Sequence, residues 1–296
     1  MRGVLLVSLG CVSVATGILL SKHLLASAPL LPFVLFQVLG GALFATMACL
    51  CFRAVPKGKS LLLLALPGIF QPGMTYPLYF ASLAYIPVAL AGMLASFETL
   101  FVCLLSFPLL KVTPRREQFL LAFCSLGGLL LMSWSRGQVA ARSLFGVLLV
   151  LASMLCASLD TIACSALAPR SHTTALTAVA CWSGTLVLLL ILLFSSKQNW
   201  EPFATLSTLG ICLLSGVFIH GLGANLVNEG LVKITAAEAA LLYPLISVVT
   251  AVGGFVIYRE RLSASQALGG IVVIVSTTAV GFLTNDSGRL SVRLTS

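Results

Sequence analysis

The sequence predicts an all-α polytopic membrane protein: ten transmembrane helices, arranged as two inverted five-helix repeats around a central cavity. Three observations carry that prediction. Of 296 residues, 59% are hydrophobic and 8% charged, and the mean hydropathy is +1.10, whereas about a quarter of the residues of soluble domains are charged. The apolar residues come in runs long enough to cross hydrocarbon. The two halves of the chain also echo one another in order.

Water cannot solvate that much apolar surface, so lipid is the solvent for most of the chain. The 17 Lys and Arg residues fall in, or at the ends of, the gaps between apolar runs, Lys22 being the deepest. A charge at mid-bilayer costs roughly 2.5–3.5 kcal/mol on insertion scales, which accounts for that placement. The net charge of +9 sits in small clusters in short loops. With no basic helix and no aromatic–basic interleaving, it reads as membrane anchoring and excludes nucleic acid as a partner. All nine cysteines lie inside apolar segments, away from histidine at metal-ligand spacing. They read as packing residues, and no metal or cofactor is expected.

Windows of about 20 apolar residues place spans at 3–25, 31–52, 61–84, 88–110, 119–134, 144–167, 174–195, 207–229, 235–257 and 264–283. The first follows Met1-Arg2 but runs on to about Leu25 without a clear small-residue cleavage site, so it is a retained span rather than a signal peptide. The third contains Pro67, Pro72 and Pro77, with Gly68 and Gly73 between them. Such breaks free carbonyls and are tolerated at membrane depth where they line protein or a water-filled cavity. The eighth, its repeat partner, has Gly216, Gly221 and Gly223 instead, with His220, Asn225 and Asn228. The fifth is short, and the fourth and ninth have ragged starts. Connections are brief and leave no room for a soluble domain.

Orientation follows from the basic residues. With the N-terminus inside, eleven lie on the cytoplasmic side (Arg2, Arg53, Lys57, Lys59, Lys111, Arg115, Arg116, Arg170, Lys233, Arg289, Arg293) and six outside (Lys22, Arg136, Arg142, Lys197, Arg259, Arg261). That balance puts both termini in the cytoplasm, and a bacterial inner membrane is the simplest location.

The repeat is visible at near-constant spacing. Gly3-Val4-Leu5-Leu6-Val7 recurs as Gly146-Val147-Leu148-Leu149-Val150, and Gly41 as Gly184, both at an offset of 143. Leu126-Gly127-Gly128 recurs as Leu268-Gly269-Gly270 at 142. The expected units are 1–140 and 143–284, followed by a cytoplasmic tail at 285–296. Five spans per unit is an odd number, so the second unit enters the membrane from the opposite side. Inverted repeats of this kind place a binding site near the midplane, between bundles that rock against each other.

Leu83-Ala84-Tyr85-Ile86-Pro87-Val88-Ala89-Leu90-Ala91, its partner Leu231-Val232-Lys233-Ile234-Thr235-Ala236-Ala237-Glu238-Ala239, and Glu260-Arg261-Leu262 ahead of Leu268-Gly269-Gly270 resemble the two EamA repeats of the drug/metabolite transporter superfamily. The resemblance covers nearly the whole chain. It implies ten helices, inside termini, a central cavity, and export of amino acids or other small metabolites. In this chain the arginine common in the family's second helix is Gln37, and the proline usual in the ninth falls at Ser247, with Pro244 one turn earlier.

Eight carboxylates are available to carry chemistry. Glu117, Glu201, Glu260 and Asp286 belong to loops or span ends, and Glu229 and Glu238 flank a short turn with Lys233. Glu98 and Asp160 lie well inside spans, with no basic residue within one helical turn. An unpaired carboxylate at that depth must face a cavity, find a polar partner such as the hydroxyl of Thr161 or Ser96, or stay protonated. Glu98 and Asp160 are therefore the candidates for proton coupling or for holding a substrate ammonium. Gln71, Tyr76, Tyr79 and Asn225 are expected to shape the pocket, with His220 as a candidate shuttle for protons or a structural histidine bonded to backbone, and Gln37 and Trp182 completing the wall. Pro67, Pro72, Pro77 and Pro244 are the candidate helix breaks or gates.

The reading is a secondary transporter, an exporter by resemblance, of small polar metabolites, amino acids or derivatives foremost, working by alternating access, either proton-linked or facilitative; the alternative is a channel or a non-transporting membrane sensor or scaffold. Its partners are a small-molecule substrate and the lipid bilayer, and it admits protons and a second copy of the chain. A channel would show a polar stripe or a ring of one charge, and a scaffold would not need intramembrane carboxylates. A lipid-modifying enzyme would need histidines or carboxylates gathered together, whereas the three histidines are spread over distant segments. The sequence also lacks H-E-x-x-H, P-loop and G-x-S-x-G motifs.

Overall fold

The computed structural model describes residues 1–22, 24, 28–54, 60–86, 91, 94–113, 115–134, 144–195, 198–259 and 264–293, with backbone alone at 60, 132–134 and 280–293. Among these residues the regular structure is all helical. The helices are α1 (Arg2–Ser21), α2 (Leu30–Cys51), α3 (Ser60–Gly68), α4 (Thr75–Ser82), α5 (Phe97–Leu110), α6 (Arg116–Trp134), α7 (Leu144–Leu167), α8 (Thr173–Phe194), α9 (Leu206–Gly216), α10 (Ala224–Leu231), α11 (Ala236–Ala240), α12 (Pro244–Tyr258) and α13 (Ala264–Arg293). A π-helical turn, Ile69–Met74, joins α3 to α4, and another, Val217–Gly223, joins α9 to α10.

Seven stretches among the described residues are long and apolar enough to cross a bilayer: Arg2–Ser21, Leu30–Cys51, Leu61–Ser82, Leu144–Arg170, Thr173–Phe194, Leu206–Leu231 and Ala236–Tyr258. Two further apolar helices, Phe97–Leu110 and Ala264–Ala279, are shorter. The expected start of the fourth span at 88–90 lies outside the described residues, as do Lys57, Lys59, Arg136, Arg142, Lys197 and the Glu260-Arg261-Leu262 motif. The last helix runs to Arg293, into the segment expected as a tail.

Polarity runs inside out, as a lipid solvent requires. Leu43, Met47, Leu50, Leu62, Phe107, Leu193, Phe194 and Val256 are exposed on the periphery, while Ser153, Ser158, Ser215, Thr177, Gln37 and Asn228 are buried. Hydroxyls that would be stranded in hydrocarbon bond back to carbonyls of their own helix, as in Thr16 to Val12, Thr46 to Ala42 and Ser106 to Val102. With lipid on every side the helices gain little from apolar burial against one another. Close approach at small residues takes its place. At Gly216 a Cβ would run into the Gln37 carbonyl, and at Gly68 into the Ala180 carbonyl. There the backbones of α9 and α2, and of α3 and α8, touch directly.

The broken helices lie at the middle of the bundle. Gln71 takes extended angles (φ −137°, ψ 123°) inside the first π turn, between Pro67 and Pro72, while Pro77 sits in the first turn of α4. The second π turn, with Gly221 and Gly223, keeps helical angles. Side chains from other elements meet the backbone at both. Ser153 on α7 donates to the Thr75 carbonyl (2.8 Å), Ser13 on α1 donates to the Phe218 carbonyl (2.7 Å), and the Cys181 thiol on α8 points at the His220 carbonyl (3.5 Å). Between α11 and α12 the chain turns at Leu241–Tyr243 and restarts at Pro244, whose missing N–H costs nothing in a first turn. The Thr235–Glu238 capping box starts α11.

Candidate functional site

A cavity of about 190 Å³ lies where these breaks converge. That is smaller than the roughly 300–1,000 Å³ of drug-sized pockets and suits a compact metabolite. Its wall draws on α1 (Cys11, Val14), the first π turn and α4 (Gln71, Pro72, Tyr76), α5 (Glu98), α7 (Asp160, Thr161, Cys164), α8 (Thr177, Ala180, Cys181), the second π turn and α10 (Ile219, His220, Ala224, Val227, Asn228, Leu231), Tyr243 and α12 (Ile246). The helices α6 and α13 pack on each other, away from it.

Glu98 reaches the cavity because α5 is tied down on two sides. Its backbone carbonyl accepts from Ser158 on α7 (3.1 Å), and the next residue, Thr99, donates to the Ala240 carbonyl of α11 (3.2 Å). Asp160 lies one turn below the Cys164 thiol, which points at its Oδ1 (3.8 Å). The Thr161 hydroxyl, a partner expected for Asp160, instead pairs with the Tyr243 hydroxyl (3.2 Å). Asn228 donates Nδ2 to Thr177 (3.0 Å) and so joins α10 to α8. The second π turn meets α4 here too, the Tyr76 ring packing edge-on against His220 (5.7 Å, 84°). His220 is 6% exposed, and its Nε2 has no hydrogen-bond partner. The titratable groups on the wall are thus Glu98, Asp160, His220, Tyr76, Tyr243, Cys11, Cys164 and Cys181.

Glu98, Asp160, Gln71, Tyr76, His220 and Pro72 therefore share one cavity. The remaining sequence candidates sit elsewhere. Gln37 spans helices, with Nε2 near the hydroxyls of Ser215 (3.0 Å) and Ser21 (3.4 Å). Trp182, 43% exposed on the outer surface, donates Nε1–H to Thr46 (2.9 Å). Tyr79 packs in a side cluster with Ile86, Val150 and Met154, and buried Asn225 Oδ1 has no partner. Pro67 and Pro77 flank the cavity in sequence without lining it, and Pro244 adjoins Tyr243. The lining residues Asn228, Thr161, Tyr243 and Cys164 are outside the sequence candidates. Asn228, an amide three residues from Asn225 in a predicted span, was the one with a readable signal.

At one end of α1 a vestibule of about 630 Å³ opens among Ser106, Leu110, Arg115, Ser165, Lys233 and Glu238. Helices α7 and α10 border both spaces, Cys164 and Leu231 lining the cavity and their chain neighbours Ser165 and Val232 the vestibule. At the other end of α1 the bundle is latched. Tyr258 of α12 donates its hydroxyl to the Leu19 carbonyl (2.6 Å), and the Lys22 ammonium sits 4.9 Å from the Tyr258 ring centroid. Glu229 and Glu238, near the vestibule, accept from Thr173 and from the Thr235 backbone N–H (2.9 Å for the latter).

A multi-pass helical membrane protein with a small cavity whose wall sets carboxylates, an imidazole and phenols among apolar side chains has the build of a membrane transporter. The EamA-like transporter family matches residues 1–134 and 144–282, and the chain belongs to that family, within the drug/metabolite transporter superfamily. A relative from Methanothermobacter thermautotrophicus, described as an uncharacterized transporter, is 27% identical over 221 residues. That match takes in 74% of this chain and 64% of the relative's length. A crystal structure of a protein 19% identical in sequence superposes with a TM-score of 0.80, covering 96% of this chain and 98% of that one, and shares the fold.

Proposed function

We propose that the protein is a ten-helix secondary transporter of small polar metabolites, amino acids or their derivatives, built as two inverted repeats and working by alternating access. The observation that carries the proposal is the cavity, which gathers Glu98 and Asp160 from opposite halves of the chain at the meeting point of two broken helices. Discontinuous helices around a central site are how such carriers hold substrate. An unpaired carboxylate at that depth needs a positive partner. A proton and a substrate ammonium compete for the role, and that competition is a means of coupling flux to a proton gradient.

The glycine contacts support the inverted repeat. Gly3 packs on Gly230, Lys233 and Ile234, while Gly146 packs on Ser82, Tyr85 and Ile86. Gly216 abuts Gln37 where Gly68 abuts Ala180, and Gly41 abuts His220 where Gly184 abuts Pro72. In each comparison residues of α1 and α2 stand 143 positions before their counterparts in α7 and α8. Residues from 68 to 86 stand 148 positions before theirs. The left-handed helix ends at Lys111 and Arg259 are also 148 apart. With both termini in the cytoplasm of a bacterial inner membrane, the vestibule opens inward and the Tyr258 latch closes the outer side, as in the inward-facing state of a carrier; export is the direction that the family resemblance implies.

Purified protein in liposomes, offered labelled amino acids and amines with and without a pH gradient, tests the proposal. Saturable flux that responds to the gradient and falls by at least about tenfold in Glu98→Gln or Asp160→Asn is expected. Flux that ignores the gradient and survives both substitutions would remove the proton link and the role of these residues.

A further inference from the structure

We propose that the cavity selects organic amines that carry an ammonium and no free carboxylate, in preference to the corresponding amino acids. This narrows, and rests on, the carrier reading above.

The charge on the wall points one way. Two carboxylates, Glu98 and Asp160, face the cavity, and its described lining includes neither Lys nor Arg. An amino acid brings a carboxylate that needs a cation or several free donors. Two of the donor groups on the wall are partly engaged, one N–H of Asn228 with Thr177 and the hydroxyls of Thr161 and Tyr243 in one bond between them, and the donors that remain are neutral. Setting a third carboxylate beside two others in an enclosed site is strongly disfavoured, and this like-charge exclusion is how a binding site rejects a near relative of its ligand.

A second observation is independent of the carboxylates. The His220 side chain is 6% exposed and lines the cavity, and its Nε2 has no partner in the protein. With its proton on Nδ1, the imidazole offers Nε2 as an acceptor for an N–H of the ligand. The Tyr76 ring lies against His220 at 5.7 Å, and Tyr243 is on the same wall. Tyrosine rings attract cations through their quadrupole. Carboxylates, imidazole acceptor and phenol rings together suit an ammonium, and the volume of about 190 Å³ suits a compact one.

The test is calorimetric titration of the purified full-length protein with four matched pairs: ethanolamine and serine, putrescine and ornithine, tyramine and tyrosine, agmatine and arginine. At least one amine should bind at least about tenfold more tightly than its amino acid. Glu98→Gln and Asp160→Asn should each weaken that amine by a similar factor, whereas Glu201→Gln, which removes a carboxylate remote from the cavity, should leave its affinity unchanged. The wild-type comparison stands even where a variant does not fold. Amino acids binding as tightly as their amines, or no binding by any of the four amines, would overturn the selectivity. An amine that binds with the predicted preference yet shows no saturable flux in liposomes would overturn the carrier reading and leave the amine site standing.

Discussion

Glu98 and Gln37 illustrate two outcomes for a polar side chain placed in hydrocarbon. Both stand out in the sequence because a buried polar group is costly unless it is partnered. Glu98 faces the cavity, whereas Gln37 reaches the hydroxyls of Ser21 and Ser215 and holds α1, α2 and α9 together. The sequence singled out these residues, but composition could not assign the two roles, because a uniformly apolar helix gives no periodic signal of which face turns inward. Thr161 and Tyr243 escaped for the same reason. The two roles separate experimentally. Interhelical hydrogen bonds in membranes are worth about 0.6 kcal/mol on average, so Gln37→Leu should lower the melting temperature in detergent and leave ligand affinity intact. A loss of affinity without a loss of stability, measured by titration beside thermal unfolding, would instead make Gln37 part of the site.

The proline run at 67–77 announced a broken element, and the π turn at Ile69–Met74 with its extended Gln71 is that break. Its counterpart at Val217–Gly223 has glycines in place of prolines. Glycine signals close packing as readily as a break, and only the contact of α9 with α2 shows that close packing is its role at Gly216. Because Gly68 and Gly216 each meet a backbone carbonyl that cannot step aside, Gly68→Ala and Gly216→Ala should each cost about 1–3 kcal/mol through overpacking. Gly210, with open space around it, accepts alanine freely and gains helix propensity of up to about 1 kcal/mol. Thermal unfolding of the three variants measures this directly. Equal behaviour of all three would mean that the close contacts contribute nothing to stability.

Across the whole molecule, the proposed repeat rests in the sequence on the 143-residue offset that α1 and α2 keep with α7 and α8. The 148-residue offset shows in the sequence only where residues 83–91 pair with residues 231–239; within the broken helices it emerges from which residues touch, because they share positions and not residue types: Pro72 answers to His220, and Ser82 to Gly230. The ends of the bundle differ, with a vestibule at Arg115 and Lys233 and a latch at Tyr258 and Lys22. Alternating access requires these two ends to exchange roles. In a cysteine-free background, spin labels at Lys111 and Lys233 report the vestibule end, and labels at Leu20 and Arg259 report the latched end. Pulsed electron–electron distance measurements in lipid, with and without a transported amine, then follow both. Reciprocal shifts are expected, one distance shortening as the other lengthens. Two distances that widen together, or stay fixed while substrate crosses, would contradict it.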